Sequence, residues 1–137
     1  PVISTRTKLS EIKNITLASN FKAKEFSNYQ KVIELALLFD AKIHLVHINT
    51  PNEFINFKKI NKNMELFVKH WKLTNYSTTQ YNHEKFEAGL FLFCQEKRTN
   101  LIAIGTHDRN GLSRLFYESK NEQIVNHFNT PILSFKI

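Results

Sequence analysis

Short apolar runs alternate along this chain with longer stretches in which apolar residues recur every three or four positions. The short runs predict strands and the longer stretches amphipathic helices. The first strand is Asn14 to Ala18, NITLA, followed by a turn at Ser19, Asn20 and Phe21. A helix from about Lys24 to Phe39 carries Val32, Leu35, Ala36 and Phe39 as its buried stripe. Lys42 to Ile48, KIHLVHI, is apolar enough for a central strand, and Pro51 stops it. The second helix runs from about Phe54 to Lys72, with Phe57, Ile60, Met64, Phe67, Val68 and Trp71 toward the core and lysines opposite. Tyr76 to Tyr81 alternates polar positions, which suits a sheet edge. The third helix, Glu84 to Lys97, turns Phe86, Leu90, Phe93 and Cys94 inward. Leu101 to Ile104 is a fully buried strand that Gly105 ends by a tight turn. A polar loop then holds His107, Asp108, Arg109, Asn110 and Gly111. A last helix opens near Ser119, with Ile124, Val125 and Phe128 on one face. Pro131 begins the final strand, Ile132 to Phe135.

This regular alternation of strand and helix predicts an α/β fold, a five-stranded parallel sheet with helices on both faces. In an open parallel sheet, ligands bind where a loop leaves the carboxyl end of a strand toward a helix N-terminus. Leu101 to Phe128 is such a stretch. The two ends of the chain share a pattern, Pro1-Val2-Ile3-Ser4 and Pro131-Ile132-Leu133-Ser134. One reading makes the first copy the last strand of a preceding repeat. Residues 1–13 are then a remnant and linker, residues 14–137 the domain, and the chain the C-terminal half of a tandem protein. The other reading is chance similarity over four residues.

Charge changes this picture little. The chain of 137 residues carries a net charge of +7, but 15 of its 19 cations are Lys, scattered from Lys8 to Lys136. Arg, the residue of bidentate phosphate and base contacts, occurs four times. The densest group, Lys58, Lys59, Lys62, Lys69 and Lys72, falls mostly on the outer face of one helix. A solvated face explains it, and nucleic acid is not an expected partner. No apolar run reaches the roughly eighteen residues of a membrane span, so no membrane partner is expected. The one cysteine gives no sign of an oxidising compartment, and a cytoplasmic location is the default expectation.

The candidate chemistry is sparse. His44 and His47 sit three apart on a strand, so they point to opposite faces and cannot share a metal. His107 and Asp108 lack an evident third ligand. Cys94 lies on an inward helical stripe, as a core thiol does. Ser119 with Glu122 forms a capping box, which accounts for the serine without a ligand, although a phosphate contact is compatible with it. Asn20 can cap a turn. No ordered Ser, His and Asp set, paired catalytic carboxylates or metal motif stands out, so no catalytic or metal-binding residue is assigned.

The stretch after the fourth strand of the domain resembles the signature of the universal stress protein family. That signature is a glycine, two residues, a second glycine, nine residues, then a glycine and Ser or Thr. Gly105 and Ser119 match it, whereas Asp108 and Glu118 stand in place of the other two glycines. NITLASNF, KIHLVHINTP and GLSRLF resemble other segments of the family, so the likeness covers nearly the whole chain. It implies the strand order 3-2-1-4-5, a nucleotide-binding-like open sandwich, and a crevice where strands one and four diverge. It also implies a remnant nucleotide crevice at Ser19, Asn20, Gly105, Arg109, Gly111 and Ser119, with Asn20 where the family commonly places a nucleotide-contacting Asp. With two glycines replaced by carboxylates, the expectation is weak or no ATP binding, no cofactor and a non-enzymatic role in stress signalling or protein interaction. The alternatives are a regulatory module that binds ATP or AMP, and an enzyme on the same fold. The likeness further implies a homodimer, or an intramolecular pseudo-dimer, through Pro131 to Ile137. Ile132, Leu133 and Phe135 would otherwise leave an apolar edge.

Overall fold

The computed structural model describes residues 2–4, 11–106 and 130–137. Its strands are β1 (Val2–Ser4), β2 (Asn14–Ala18), β3 (Lys42–Asn49), β4 (Tyr76–Asn82), β5 (Leu101–Thr106) and β6 (Ile132–Lys136). Its α-helices are α1 (Gln30–Leu38), α2 (Phe57–Trp71) and α3 (Phe86–Glu96), and a 3-10 helix spans Ala23–Tyr29. The sheet order is β1-β6-β5-β2-β3-β4. All pairs from β6 to β4 are parallel, which is the expected five-stranded sheet in the order 3-2-1-4-5. The sixth strand, β1, adds antiparallel to the outer edge of β6.

Burial on both faces explains why the central strands read as continuous apolar runs. Ile15, Leu17, Ile43, Leu45, Leu101, Ala103 and Leu133 join one core with residues of α1, α2 and the 3-10 helix. Ala18, Val46, Ile48, Ile102 and Ile104 join the other, with Leu90, Phe93 and Cys94 of α3. Helices therefore cover both faces. Gly89 brings α3 onto the sheet: a Cβ there would sit 2.9 Å from both Ile48 Cγ2 and His83 Cβ.

Several expectations need correction. The segment from Lys24 is not one helix, because Ala23–Tyr29 is 3-10 before α1 begins. Residues three apart eclipse in a 3-10 helix, so Phe26 and Tyr29 both land on the core. Phe57 is 65% exposed although its spacing continues the stripe of Ile60, Met64 and Phe67, since it is the first residue of α2 and its turn faces solvent. Asn56, not Phe54, starts that helix, its side chain accepting from the Lys58 N–H at 2.8 Å. Gly105 does not end its strand. β5 continues to Thr106, and no described glycine has a positive φ. A Cβ on Gly105 would lie 2.8 Å from Ile137 Cγ2 and 3.2 Å from Phe135 Cε2, so this glycine makes room for the end of the chain. Leu133 is only 1% exposed within the single chain, so its side chain serves the core rather than an open edge. Ile12, placed by sequence in a linker, is 1% exposed and part of the core.

Phe67 is the meeting point of the larger core. Phe21, Phe26 and Tyr29 pack edge-on around it, with ring centroids 5.1, 5.3 and 5.3 Å away. Tyr29 carries the contact on to Phe135 of β6 at 5.0 Å. Such edge-to-face pairs add to the burial of area itself. Phe67→Ala is expected to lower unfolding free energy by about 3–5 kcal/mol, read from urea denaturation. A loss below about 1 kcal/mol would mean that the cluster closes around the cavity and has no central role.

Candidate functional site

Strand β2 is the topological switch point, with β3 on one side and β5 on the other. Its pairing with β5 runs to Ala18 and Ile104, while β5 goes on to pair with β6 through Gly105 and Thr106. The strands part at Ser19 and Gly105, and the mouth of the sheet opens there. Of the six crevice residues expected from sequence, Ser19, Asn20 and Gly105 meet at this mouth. Arg109, Gly111 and Ser119 lie outside the described residues, as do Asp108 and Glu118.

The mouth is laced by the chain's own groups. Ser19 Oγ hydrogen-bonds the Tyr29 hydroxyl at 2.5 Å and accepts from the Phe21 N–H at 2.9 Å. The Ser19 N–H donates to the Val46 carbonyl at 3.1 Å. The Asn20 carbonyl accepts from Asn63 Nδ2 of α2 at 3.1 Å. Burial pushes the Tyr29 phenol up to about 12, with the Ser19 bond opposing, so Tyr29 keeps its proton at neutral pH. Phe21 holds a left-handed backbone, φ 54°, with its ring buried against Phe67. That conformation costs a residue with a Cβ roughly 1–2 kcal/mol. The aromatic packing offsets this cost.

His47 Nδ1 lies 3.3 Å from the Ser19 carbonyl oxygen, and its Nε2 lies 3.3 Å from Asn49 Oδ1. Asn49 is itself fixed by the backbone of Ile55: Oδ1 accepts from the Ile55 N–H at 2.9 Å and Nδ2 donates to the Ile55 carbonyl at 3.1 Å. Burial lowers the affinity of His47 for a proton, while its two oxygen neighbours work against that shift. Sequence reasoning missed Asn49 and Asn63 because their partners lie on other segments. Asn63 does stand out as a polar residue next to the α2 core stripe, and that was a usable signal.

His44 points to the other face, as its spacing from His47 requires. Its Nε2 donates to Asn14 Oδ1 at 3.0 Å, which leaves Nδ1 to accept from the Ser77 hydroxyl at 2.7 Å. Among the described residues, no three His, Cys, Asp or Glu side chains gather closely enough to hold a metal ion. Cys94 is a core thiol, with burial raising it to about 11 and so suppressing the thiolate. The five lysines of α2 and its C-cap are exposed, forming the solvated face expected of them. Among the described residues, no helix is long and apolar enough to cross a membrane. An open groove of about 370 Å³ lies beside the mouth at the carboxyl ends of β3 and β4, between Pro51, Phe54, Asn82, His83 and Glu84. Phe54 is 70% exposed at its rim.

No protein-family model matches this chain, and no curated protein matches it. Solved structures do. A universal stress protein in complex with cAMP superposes with a TM-score of 0.64 at 11% identity, covering 89% of this chain and 95% of that one. The universal stress protein of Archaeoglobus fulgidus in complex with dAMP gives 0.59 at 16% identity, with 90% and 98% covered. A universal stress protein family member from Burkholderia pseudomallei gives 0.55 at 16%, with 90% and 95% covered. The chain has the fold of the universal stress proteins.

Burial, then the nearby Lys42 and Lys97, lowers His44 to about 4. The unfolded chain, with its imidazole near 6.5, therefore binds the proton first as pH falls. Stability from this residue is fully present above about pH 7 and declines between about pH 6.5 and pH 4, by on the order of 2 kcal/mol. An NMR titration of the His44 ring is expected to have its midpoint near 4. A midpoint near the ordinary value of about 6.5 would contradict the buried neutral tautomer.

Proposed function

We propose that this chain is a universal stress protein domain that acts without catalysis, through contacts with another protein in a stress response or signalling, and that it binds ATP weakly or not at all. The observation that carries this reading is the internal use of the switch-point mouth. The Ser19 hydroxyl is committed to Tyr29 and to the Phe21 N–H, and the Asn20 carbonyl to Asn63. A ligand placed there would have to displace bonds already made, at about 0.5–1.5 kcal/mol each.

The sequence adds a second reason. A glycine loop cradles phosphate because bare backbone lets N–H groups approach its oxygens. Asp108 and Glu118 occupy two of the glycine positions of the family signature. A carboxylate within about 5 Å of a phosphate charge costs roughly 3 kcal/mol at an effective dielectric near 20. A helix N-terminus returns only about 1 kcal/mol.

A second reading is a regulatory module for an adenine mononucleotide. It is favoured by the two solved neighbours that hold cAMP and dAMP. Isothermal titration with Mg-ATP, AMP and cAMP separates the two readings. The expected result is a dissociation constant weaker than about 100 μM for all three, with a gain in ATP affinity on Asp108→Gly with Glu118→Gly. A low-micromolar constant for AMP or cAMP would overturn the first reading in favour of the second, and one for ATP would refute it outright.

A further inference from the structure

Among the described residues, the sheet has one covered edge and one open edge. β1 lies along β6, whereas β4 is paired with β3 alone. The inner side of β4 is fixed at both ends. The Ile43 N–H donates to the Asn75 carbonyl at 3.1 Å, and the His83 N–H donates to the Asn49 carbonyl at 2.9 Å. Successive residues of a strand turn their N–H and C=O groups to opposite sides. Tyr76, Thr78, Gln80 and Asn82 therefore turn theirs outward, a ladder with no strand laid on it among the described residues. Edge strands are commonly blunted by a charge, a proline, a bulge or short length. β4 has none of these. Its seven residues include no charged residue and no proline. Its register with β3 runs unbroken from Ile43 with Tyr76 to Asn49 with Asn82.

Exposed aromatic rings stand at the two ends of this edge. Tyr76, 37% exposed, begins the strand, while Phe54 and Phe57, 70% and 65% exposed, lie toward its carboxyl end. Gln80 Nε2 donates to the Phe57 carbonyl at 2.9 Å, so the side chain of Gln80 is on the α2 face. Tyr76, four residues earlier on the strand, shares that face. Charge divides along the same line. Lys72 caps α2 just before the strand, and Lys42 and Lys97 act on His44, which bonds Ser77. Glu84 follows the strand and lines the groove with Phe54. Lys85, next to Glu84, tempers the contrast.

We propose that two copies of this chain pair through β4, antiparallel about a two-fold axis at Thr79, to make one continuous sheet. Thr79 then faces Thr79 of the second copy, and Thr78 with Gln80 and Tyr76 with Asn82 are the hydrogen-bonded pairs. The same operation carries Tyr76 toward Phe54 and Phe57 of the second copy, and Lys72 toward its Glu84. No like charges meet across the ladder, because β4 carries none. At about 200 Å² for an aromatic side chain, the three rings expose roughly 350 Å² per copy and roughly 700 Å² per pair. The two strand edges add to this, which brings the contact to the roughly 1,000 Å² that a specific interface needs, at the weak end of the range. The net charge of +7 opposes association at low salt. This inference rests on the β4 edge alone and is independent of whether the mouth takes a nucleotide.

The test is sedimentation equilibrium in about 0.3 M salt, which screens that charge. Wild type is expected to dimerise with a dissociation constant between about 1 μM and about 300 μM. Thr78→Pro removes an outward donor and leaves the bonds to β3 in place. It is expected to weaken the dimer at least about tenfold. Phe54→Ser with Phe57→Ser, at two exposed positions, is expected to weaken it to a similar degree. A wild type still monomeric at about 1 mM would overturn the proposal and leave the edge to a foreign strand. A dimer that either variant leaves unchanged would overturn it too, and would place the interface elsewhere. Should Thr78→Pro not fold, amide exchange on wild type between about 10 μM and about 1 mM reads the same pairing. The Thr78 and Gln80 amides are expected to slow as concentration rises, while Thr79, bonded to β3, is slow throughout. Thr78 and Gln80 amides that stay fast at every concentration would overturn the proposal.

Discussion

Phe67 does for this domain what no local interaction could. It stands on α2, yet it receives Phe21 from the turn after β2, and Phe26 and Tyr29 from the 3-10 helix. Tyr29 then reaches Phe135 of the last strand. Three parts of the chain far apart in sequence, residues 21–29, α2 and β6, are fixed to one another by a few aromatic rings packed edge to face. The position of the switch-point turn follows from this. Phe21 is drawn inward at a backbone angle that an L-residue seldom adopts, and the inward ring brings its N–H onto Ser19 Oγ. Tyr29, held against Phe67, meets the same hydroxyl from the other side. Core packing and site chemistry are here one arrangement.

The carboxyl ends of β2 and β3 form a connected polar layer on top of that aromatic base. His47 lies between the Ser19 carbonyl and Asn49 Oδ1, to one of which its neutral ring donates, and Asn49 clamps the backbone of Ile55 just before α2. Asn63 returns from α2 to the Asn20 carbonyl. Each of these groups satisfies another protein group, as buried polar groups must. Among the described residues, an open groove lies to the side, where Phe54 and His83 flank the ends of β3 and β4. The arrangement suits a domain whose fold resembles that of nucleotide-holding universal stress proteins while its own mouth is tied internally.

The sheet was legible in the sequence because buried parallel strands need apolar residues on both faces. NITLA gave β2 its observed bounds, and the runs at Lys42 and Leu101 located β3 and β5 to within two residues. The polar alternation of Tyr76–Asn82 marked an edge strand, and β4 is at the edge. Helix starts were less legible. Periodicity reports spacing along a helix, and a 3-10 turn at Phe26 and Tyr29 satisfies a spacing of three just as an α-helix does. Phe57 looked like core by spacing, but the first turn of a helix can face solvent. Gly105 carried an ambiguous signal, since a turn and a close approach both call for glycine, and only the contact with Ile137 decides between them. The ties of Asn49 and Asn63 depend on backbone atoms of other segments, which no local pattern records. The repeated Pro-apolar-apolar-Ser reads as a remnant of a preceding repeat or as chance, and the pairing of β1 with β6 is a fact of three dimensions that the pattern does not record.

Among the described residues of the switch-point mouth, Ser19, Asn20 and Phe21 are held by the chain's own hydrogen bonds and aromatic packing. The most direct measurement is an amide NMR titration with AMP, following Ser19, Asn20, Phe21 and Gly105. The account predicts no saturable shift at these four amides up to about 1 mM nucleotide. Saturating shifts at Ser19, Phe21 and Gly105 together would show that the mouth opens to a ligand, and would contradict it.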